Sequence, residues 1–221
     1  MRTATSARPL ESTPFTLAIA YRAAIGTEIL TAAEQSEYDA LRYDIRRGDW
    51  LAGRCAAKRA VARRRGGSIH RRCLVTQIAG GPTCSLLAHG SWAPLAVNLS
   101  IGHCEGVAVA AASDLTTPIG VDVEREGTIA PHERRLFLGT GERAMHRLDA
   151  TLAWVLKEAA WKALRLTPEL PLAALELDVT NDDCLLRGVR IDSDWHPARA
   201  YVVRLPRLLA MVAAVVTLEA A

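Results

Sequence analysis

Two carboxylates stand two residues apart in Ile119-Gly120-Val121-Asp122-Val123-Glu124. If this segment is a strand, alternation sends Ile119, Val121 and Val123 to a core. Asp122 and Glu124 then share the other face, roughly 6–7 Å apart along the backbone. Two like charges that close repel, and a hard cation between them removes the repulsion. Mg²⁺ commonly takes one or two protein carboxylates and completes its shell with water and phosphate oxygens. Two ordinary acids at a solvated strand end give the same pattern. A third acid lies in Trp154-Val155-Leu156-Lys157-Glu158-Ala159-Ala160-Trp161-Lys162-Ala163-Leu164. At helical spacing Leu152, Val155, Leu156, Ala159, Ala163 and Leu166 form an apolar face. Trp154, Lys157, Glu158, Trp161, Lys162 and Arg165 gather on the opposite one. A fully solvated face has no use for two tryptophans, so this face is expected to be partly enclosed. The plainer alternative is a Glu158–Lys162 pair worth about 0.3–0.5 kcal/mol, with the tryptophans filling an interface. Finally, Val97-Asn98-Leu99-Ser100-Ile101-Gly102-His103 reads as a strand that ends on a histidine. That side chain can donate to a phosphate, or serve as an ordinary surface or core histidine.

The elements that must position these groups recur along the chain. A strand-like Phe15 to Tyr21 precedes Thr31 and Glu34, which have capping-box spacing and predict a helix start. A second helix is expected from about Asp49 to Arg65, stopped by Gly66-Gly67. The order repeats with strand-like Ile119 to Glu124, a helix opening at Leu138-Gly139-Thr140-Gly141-Glu142, and a long helix around Leu152 to Leu166. Glu34 and Glu142 are 108 residues apart, and Ala56 to Val61 aligns with Ala159 to Leu164 at 103. Two offsets near half the chain suggest a duplicated α+β unit, residues 1–117 and 118–221. β-rich segments follow each long helix, at Val97 to Ala112, Leu175 to Val179, Ala200 to Leu205 and Met211 to Leu218. Gly80 to Pro94 reads as a Gly/Pro-rich connection.

With 221 residues, 50% of them apolar and 23% charged, the chain is expected to fold around a real core rather than stay disordered. Five cysteines without a C-x-x-C pair argue against a disulfide framework or a zinc knuckle and read as reduced, cytosolic and mostly core. Pro9, Glu11 and Pro14 interrupt any signal-peptide stretch, and the apolar run from Leu208 to Leu218 is too short to span a bilayer. A cytoplasmic protein without a membrane segment is expected. Charge is uneven: Arg42 to Arg72 holds eleven Lys or Arg against Asp44 and Asp49, a local +9 in a chain of +3. That concentration suits a polyanionic partner, or a solvated Arg-rich helix.

Taken together and in order, N-L-S-I-G-H, G-V-D-V-E and W-V-L-K-E-A-A-W-K-A-L resemble the motifs of 4′-phosphopantetheinyl transferases of the surfactin-synthetase-activating (Sfp) type. The resemblance covers about Trp50 to Leu166. It implies an α+β pseudodimer of two similar α/β halves with the active site at their interface. The activity implied is Mg²⁺-dependent transfer of phosphopantetheine from coenzyme A to a serine of an acyl, peptidyl or aryl carrier protein, as in polyketide, nonribosomal peptide or siderophore biosynthesis. Adenosine 3′,5′-bisphosphate leaves. By the same resemblance Asp122, Glu124 and Glu158 are metal ligands, with Glu158 also a candidate base for the serine proton. Lys157 and Lys162 lie near the pyrophosphate, and Lys162 stabilises charge. His103, Arg54 and Lys58 bind the phosphates and adenosine end of coenzyme A. A monomer that binds no nucleic acid is implied. Three departures stand out: Gly102 where a serine is common in the family, Glu105 where a small residue is frequent, and a short 30-residue step from Glu124 to Trp154.

This chemistry needs these residue types. A hydroxyl attacks a phosphorus already crowded by negative oxygens, so catalysis is mostly positioning and charge neutralisation. The competing readings are a metal-dependent nuclease or nucleic-acid-binding protein using Asp122, Glu124 and a lysine with the basic segment, and an inactive carrier-binding module.

Overall fold

The computed structural model describes residues 13–67, 70–139, 142, 149–167, 169–179, 186–206 and 210–219. The fold is α+β, with eleven strands in three antiparallel sheets and four α-helices among the described residues. The first sheet has the order β1 (Phe15–Tyr21), β6 (Val107–Asp114), β5 (Val97–Cys104). The second runs β7 (Ile119–Arg125), β11 (Met211–Leu218), β10 (Asp194–Arg204), β9 (Leu186–Ile191), β8 (Leu175–Val179). A third pairs β2 (Cys73–Ile78), β3 (Gly81–Ala88) and β4 (Ser91–Pro94).

Alternation along the central strands explains the layers. Ala108, Ala110 and Ala112 of β6 pack with Ala52, Ala56 and Ala60 of α2 (Asp44–Arg65), while Val107, Val109 and Ala111 face the second sheet. In that sheet Met211, Ala213 and Val215 of β11 meet them, and Val212, Ala214 and Val216 turn outward onto α4 (Ala150–Ala163). The order is therefore helix, sheet, sheet, helix. Burial on both faces is why β6 and β11 read as continuous apolar runs. Within the Leu208 to Leu218 run, Met211–Leu218 is an interior strand, and among the described residues no helix is long and apolar enough to cross a membrane.

Thr31 caps α1 (Ala32–Ala40) with the expected reciprocal box to Glu34. Two expectations change. α2 begins at Asp44 rather than Asp49, because Asp49 lies within the helix and binds Arg22. Gly80 to Pro94 is largely strand: Gly81 opens β3 at φ +108, and His89-Gly90 turns the chain into β4. The helix expected to open at Leu138 to Glu142 falls mostly outside the described residues.

Two buried ion pairs brace the connections into the sheets. Lys58 Nζ lies 2.5 Å from Glu34 Oε2, and Glu34 also accepts from Thr31 N and Val75 N. Lys157 Nζ lies 2.6 Å from Glu142 Oε2, and Glu142 also accepts from Gly139 N and Leu177 N. The pairs match Glu34 with Glu142 at the expected 108, but Lys58 with Lys157 at 99 rather than the 103 of the alanine-rich alignment. The two offsets differ by four residues, about one turn, a shift that leaves an alanine-rich helical pattern almost unchanged.

Gly120 sets the depth of α4 on β7. A Cβ there would sit 1.8 Å from Ala159 O and 2.6 Å from Ala163 N, backbone atoms that cannot swing aside. Gly120→Ala is expected to lift the helix and cost about 1–3 kcal/mol, several degrees of melting temperature for a chain this long. Calorimetry checks this, and an unchanged melting temperature would contradict the close packing.

Candidate active site

The edges of the two main sheets meet where β5 runs beside β7. Val121 N donates to Ser100 Oγ at 3.0 Å, and a Cβ on Gly102 would lie 2.8 Å from Asp122 Cα and 3.1 Å from its Oδ1. Glycine at 102 is thus what lets β5 come this close, which accounts for the missing serine. On the outer side of the seam, Gly120 seats α4 so that its second half overhangs β7.

Asp122 is 6% exposed, and its Oδ1 accepts from Lys162 Nζ at 2.7 Å; the same ammonium reaches Val121 O at 3.3 Å. Lys162 therefore crosses to the strand instead of pairing with Glu158 on its own helix. Glu158 is half-buried and has no hydrogen bond or ion pair among the described residues. Burial pushes its carboxyl above the usual range, Lys162 pulls it back, and Asp122 and Glu124 push it further up. Glu124 is likewise raised, first by burial, against the lowering effect of the Cys104 thiol, whose Sγ donates to Oε2 at 3.1 Å. Burial and that contact push the Cys104 thiol up to about 12, so it stays protonated at neutral pH.

Asp122, Glu124 and Glu158 are thus electrostatic neighbours. Among the described residues no three His, Cys, Asp or Glu side chains are grouped closely enough to hold a metal ion by themselves. Asp122 is turned to Lys162 and Glu124 to Cys104. The donor set itself is all carboxylate oxygen and carries more negative than positive charge. That suits a hard cation held by one or two carboxylates together with phosphate oxygens.

The other expected residues are spread out. Lys157 is fully buried, its ammonium enclosed by Glu142 and by the carbonyls of Phe137 at 2.6 Å, Leu172 at 3.0 Å and Leu175 at 2.5 Å. Burial lowers its pKa and Glu142 opposes that shift. Lys58 is equally enclosed by Glu34 and Ile29 O. Both lysines are completely buried, each ammonium paired with a carboxylate, and brace the fold from the inside. The polar face of α4 is accordingly split. Trp154 packs edge-on against Phe137 at 5.2 Å, while Glu158, Trp161 and Lys162 serve the seam.

His103 is exposed at the end of β5. Alternation places it on the α2 side with Leu99 and Ile101, away from the acids. Arg54 of α2 is 6% exposed, lies over the Trp50 ring at 4.4 Å and is 3.6 Å from Glu37; its Nε is buried without a hydrogen-bond partner. The basic run is partly consumed within the fold: Arg59 and Arg63 donate to Ile19 O and Leu17 O on β1, and Arg64 pairs with Asp114.

A cleft of about 280 Å³ opens beside Lys162, between the end of α4 (Trp161, Arg165), Ser100 of β5 and the β2–β3 turn at Gly80-Gly81. Sequence reasoning missed this wall, having read 80–94 as a connection.

No protein-family model matches the chain, and no curated protein sequence does. Among solved structures it is similar to the holo-acyl-carrier-protein synthase of Thermotoga maritima, at 20% identity and a TM-score of 0.38. The match covers 47% of this chain and 64% of that one, less than two thirds of its length.

Proposed function

We propose that the protein transfers 4′-phosphopantetheine from coenzyme A to a serine of a carrier protein. The observation that carries this reading is the Asp122–Lys162 pair, with Glu158 as its electrostatic neighbour, next to a cleft that Lys162 lines at the β5–β7 seam. The reading joins that geometry to the motif order in the sequence. Asp122 and Glu124, with Glu158, would hold Mg²⁺, which when bound neutralises diphosphate oxygens. Lys162 is placed to meet charge that develops on the leaving bisphosphate. Glu158, raised and without a partner, takes the proton from the serine hydroxyl as its oxygen bonds to phosphorus and the bond to adenosine 3′,5′-bisphosphate breaks. Arg54 and His103, both on the α2 side, bind the adenosine end, and the cleft takes the phosphate-bearing end of the pantetheine arm.

The pseudodimer belongs to the same proposal. β1, β6 and β5 under α2 have the order of β7, β11 and β10 under α4, and the Lys–Glu braces correspond. Thr16 Oγ1 bonds Ala60 O where Gly120 crowds Ala159 O, which aligns Ala18 and Ala20 with Asp122 and Glu124. The acids stand on one unit only, so one site forms per chain.

Incubation with coenzyme A, Mg²⁺ and an apo carrier protein, followed by intact mass, tests the reading. The carrier is expected to gain one phosphopantetheine; no gain on any of several acyl, peptidyl and aryl carriers overturns it.

A further inference from the structure

Helix α4 closes with Leu166 N on Trp161 O at 3.3 Å and Arg165 N on Lys162 O at 3.2 Å. This pattern puts residue 165 in the left-handed position that glycine usually fills. Arg165 holds it at φ +53. Helix α2 closes in the same way, with Gly67 N on Ala62 O and Gly66 N on Arg63 O, and there the left-handed residue is Gly66 at φ +70. The two positions are 99 residues apart, the spacing of the two buried lysines. The other non-glycine residues with positive φ, His89, Glu105, Asp192 and Ala210, all lie in connections between strands. The left-handed position that Gly66 fills without strain in α2 is held in α4 by an arginine, which costs stability.

The strained side chain is carefully held. Buried Asn98 spends its Nδ2 on the carbonyls of Asp114 at 3.0 Å and of Leu115 and Thr117 at 3.1 Å, which fixes the direction of its Oδ1. That oxygen accepts from Arg165 Nη2 at 2.8 Å. Among the described residues Arg165 has no carboxylate within ion-pair distance, whereas Lys162, one turn earlier, is paired with Asp122. Both line the cleft. A guanidinium presents a planar fork suited to phosphate oxygens.

We propose that Arg165 is an anion-binding residue of this cleft, gripping a phosphate oxygen of the ligand one helical turn from Lys162. For coenzyme A this deepens the transferase reading and rests on it; for a bare diphosphate it does not.

Calorimetric titration of inorganic pyrophosphate and, separately, coenzyme A in Mg²⁺ buffer tests the assignment on wild type, Arg165→Gln and Arg165→Gly, with each variant's ligand-free melting temperature. Gln keeps a donor for Asn98 without the charge and is expected to weaken both ligands by about tenfold or more. Gly is expected to weaken them equally while melting at or above wild type, by up to about 2–4 °C, since glycine relaxes the left-handed turn. Wild-type affinity in either variant overturns the proposal, as does a Gly variant that melts several degrees lower with binding intact, the mark of a mere brace. Pyrophosphate binding that needs Arg165, without coenzyme A binding, keeps the anion site and removes the transferase reading. Binding of neither ligand by wild type removes both.

Discussion

Under the proposed transferase activity, Glu158→Gln is expected to leave a folded protein whose transfer to a carrier is about 10²–10⁴-fold slower, the usual range for a lost general base. The physical argument lies in what Glu158 lacks. It is half-buried on α4, close to two other carboxylates, and no described residue hydrogen-bonds it. Such an acid contributes nothing to stability, so the amide should melt at or slightly above wild type while activity falls. Asp122→Asn makes the opposite contrast. Asp122 is buried and is the partner of Lys162, so its loss should reduce transfer by at least about 10²–10³-fold and lower the melting temperature as well. Cys55→Ser, buried between α2 and the first sheet, serves as the control with turnover unchanged. Rates and melting curves on the same preparations check all three. Turnover within tenfold of wild type in either acid variant would remove that residue from the chemistry.

What could be read in advance was whatever depends on local order. Alternation in Ile119 to Glu124 put Asp122 and Glu124 on one face, and helical spacing put Glu158 and Lys162 within a turn. The structure adds the partner on β7 that no helical wheel contains: Lys162 binds Asp122 across 40 positions. Lys157 was misplaced for the same reason. Its neighbours on the wheel are polar, but its side chain is claimed by Glu142 and by carbonyls of residues 137, 172 and 175, fixed by packing. Residues 80–94 carry the glycines and prolines of a loop, yet β2 supplies a ladder that converts most of them to strand. Gly102 stood out in the sequence only as a missing serine and Gly120 not at all as a packing residue, since a requirement for missing atoms shows only once the neighbouring backbone is in place.

The revised role of Lys157 makes the second large prediction. Lys157→Met keeps most of the side chain's length but leaves the Glu142 carboxylate buried at 5% exposure without its cation. Breaking a buried pair from one side costs about 3–5 kcal/mol, because the remaining charge has lost its compensation. For a chain of this size that is a melting temperature lower by on the order of 10 °C. The double variant Lys157→Met with Glu142→Gln should recover much of the loss. The charge is then gone from both sides, while the amide oxygen can still accept from Gly139 N or Leu177 N. Coenzyme A affinity, measured well below the melting transition, should match wild type in both variants, since the Lys157 ammonium faces carbonyls and not the cleft. A cofactor contact predicts the reverse: little change in melting temperature and a clear loss of affinity. The matching pair Lys58 and Glu34 should respond in the same way, as both lysines bind a carboxylate whose other contacts are backbone N–H groups on the approach to a strand.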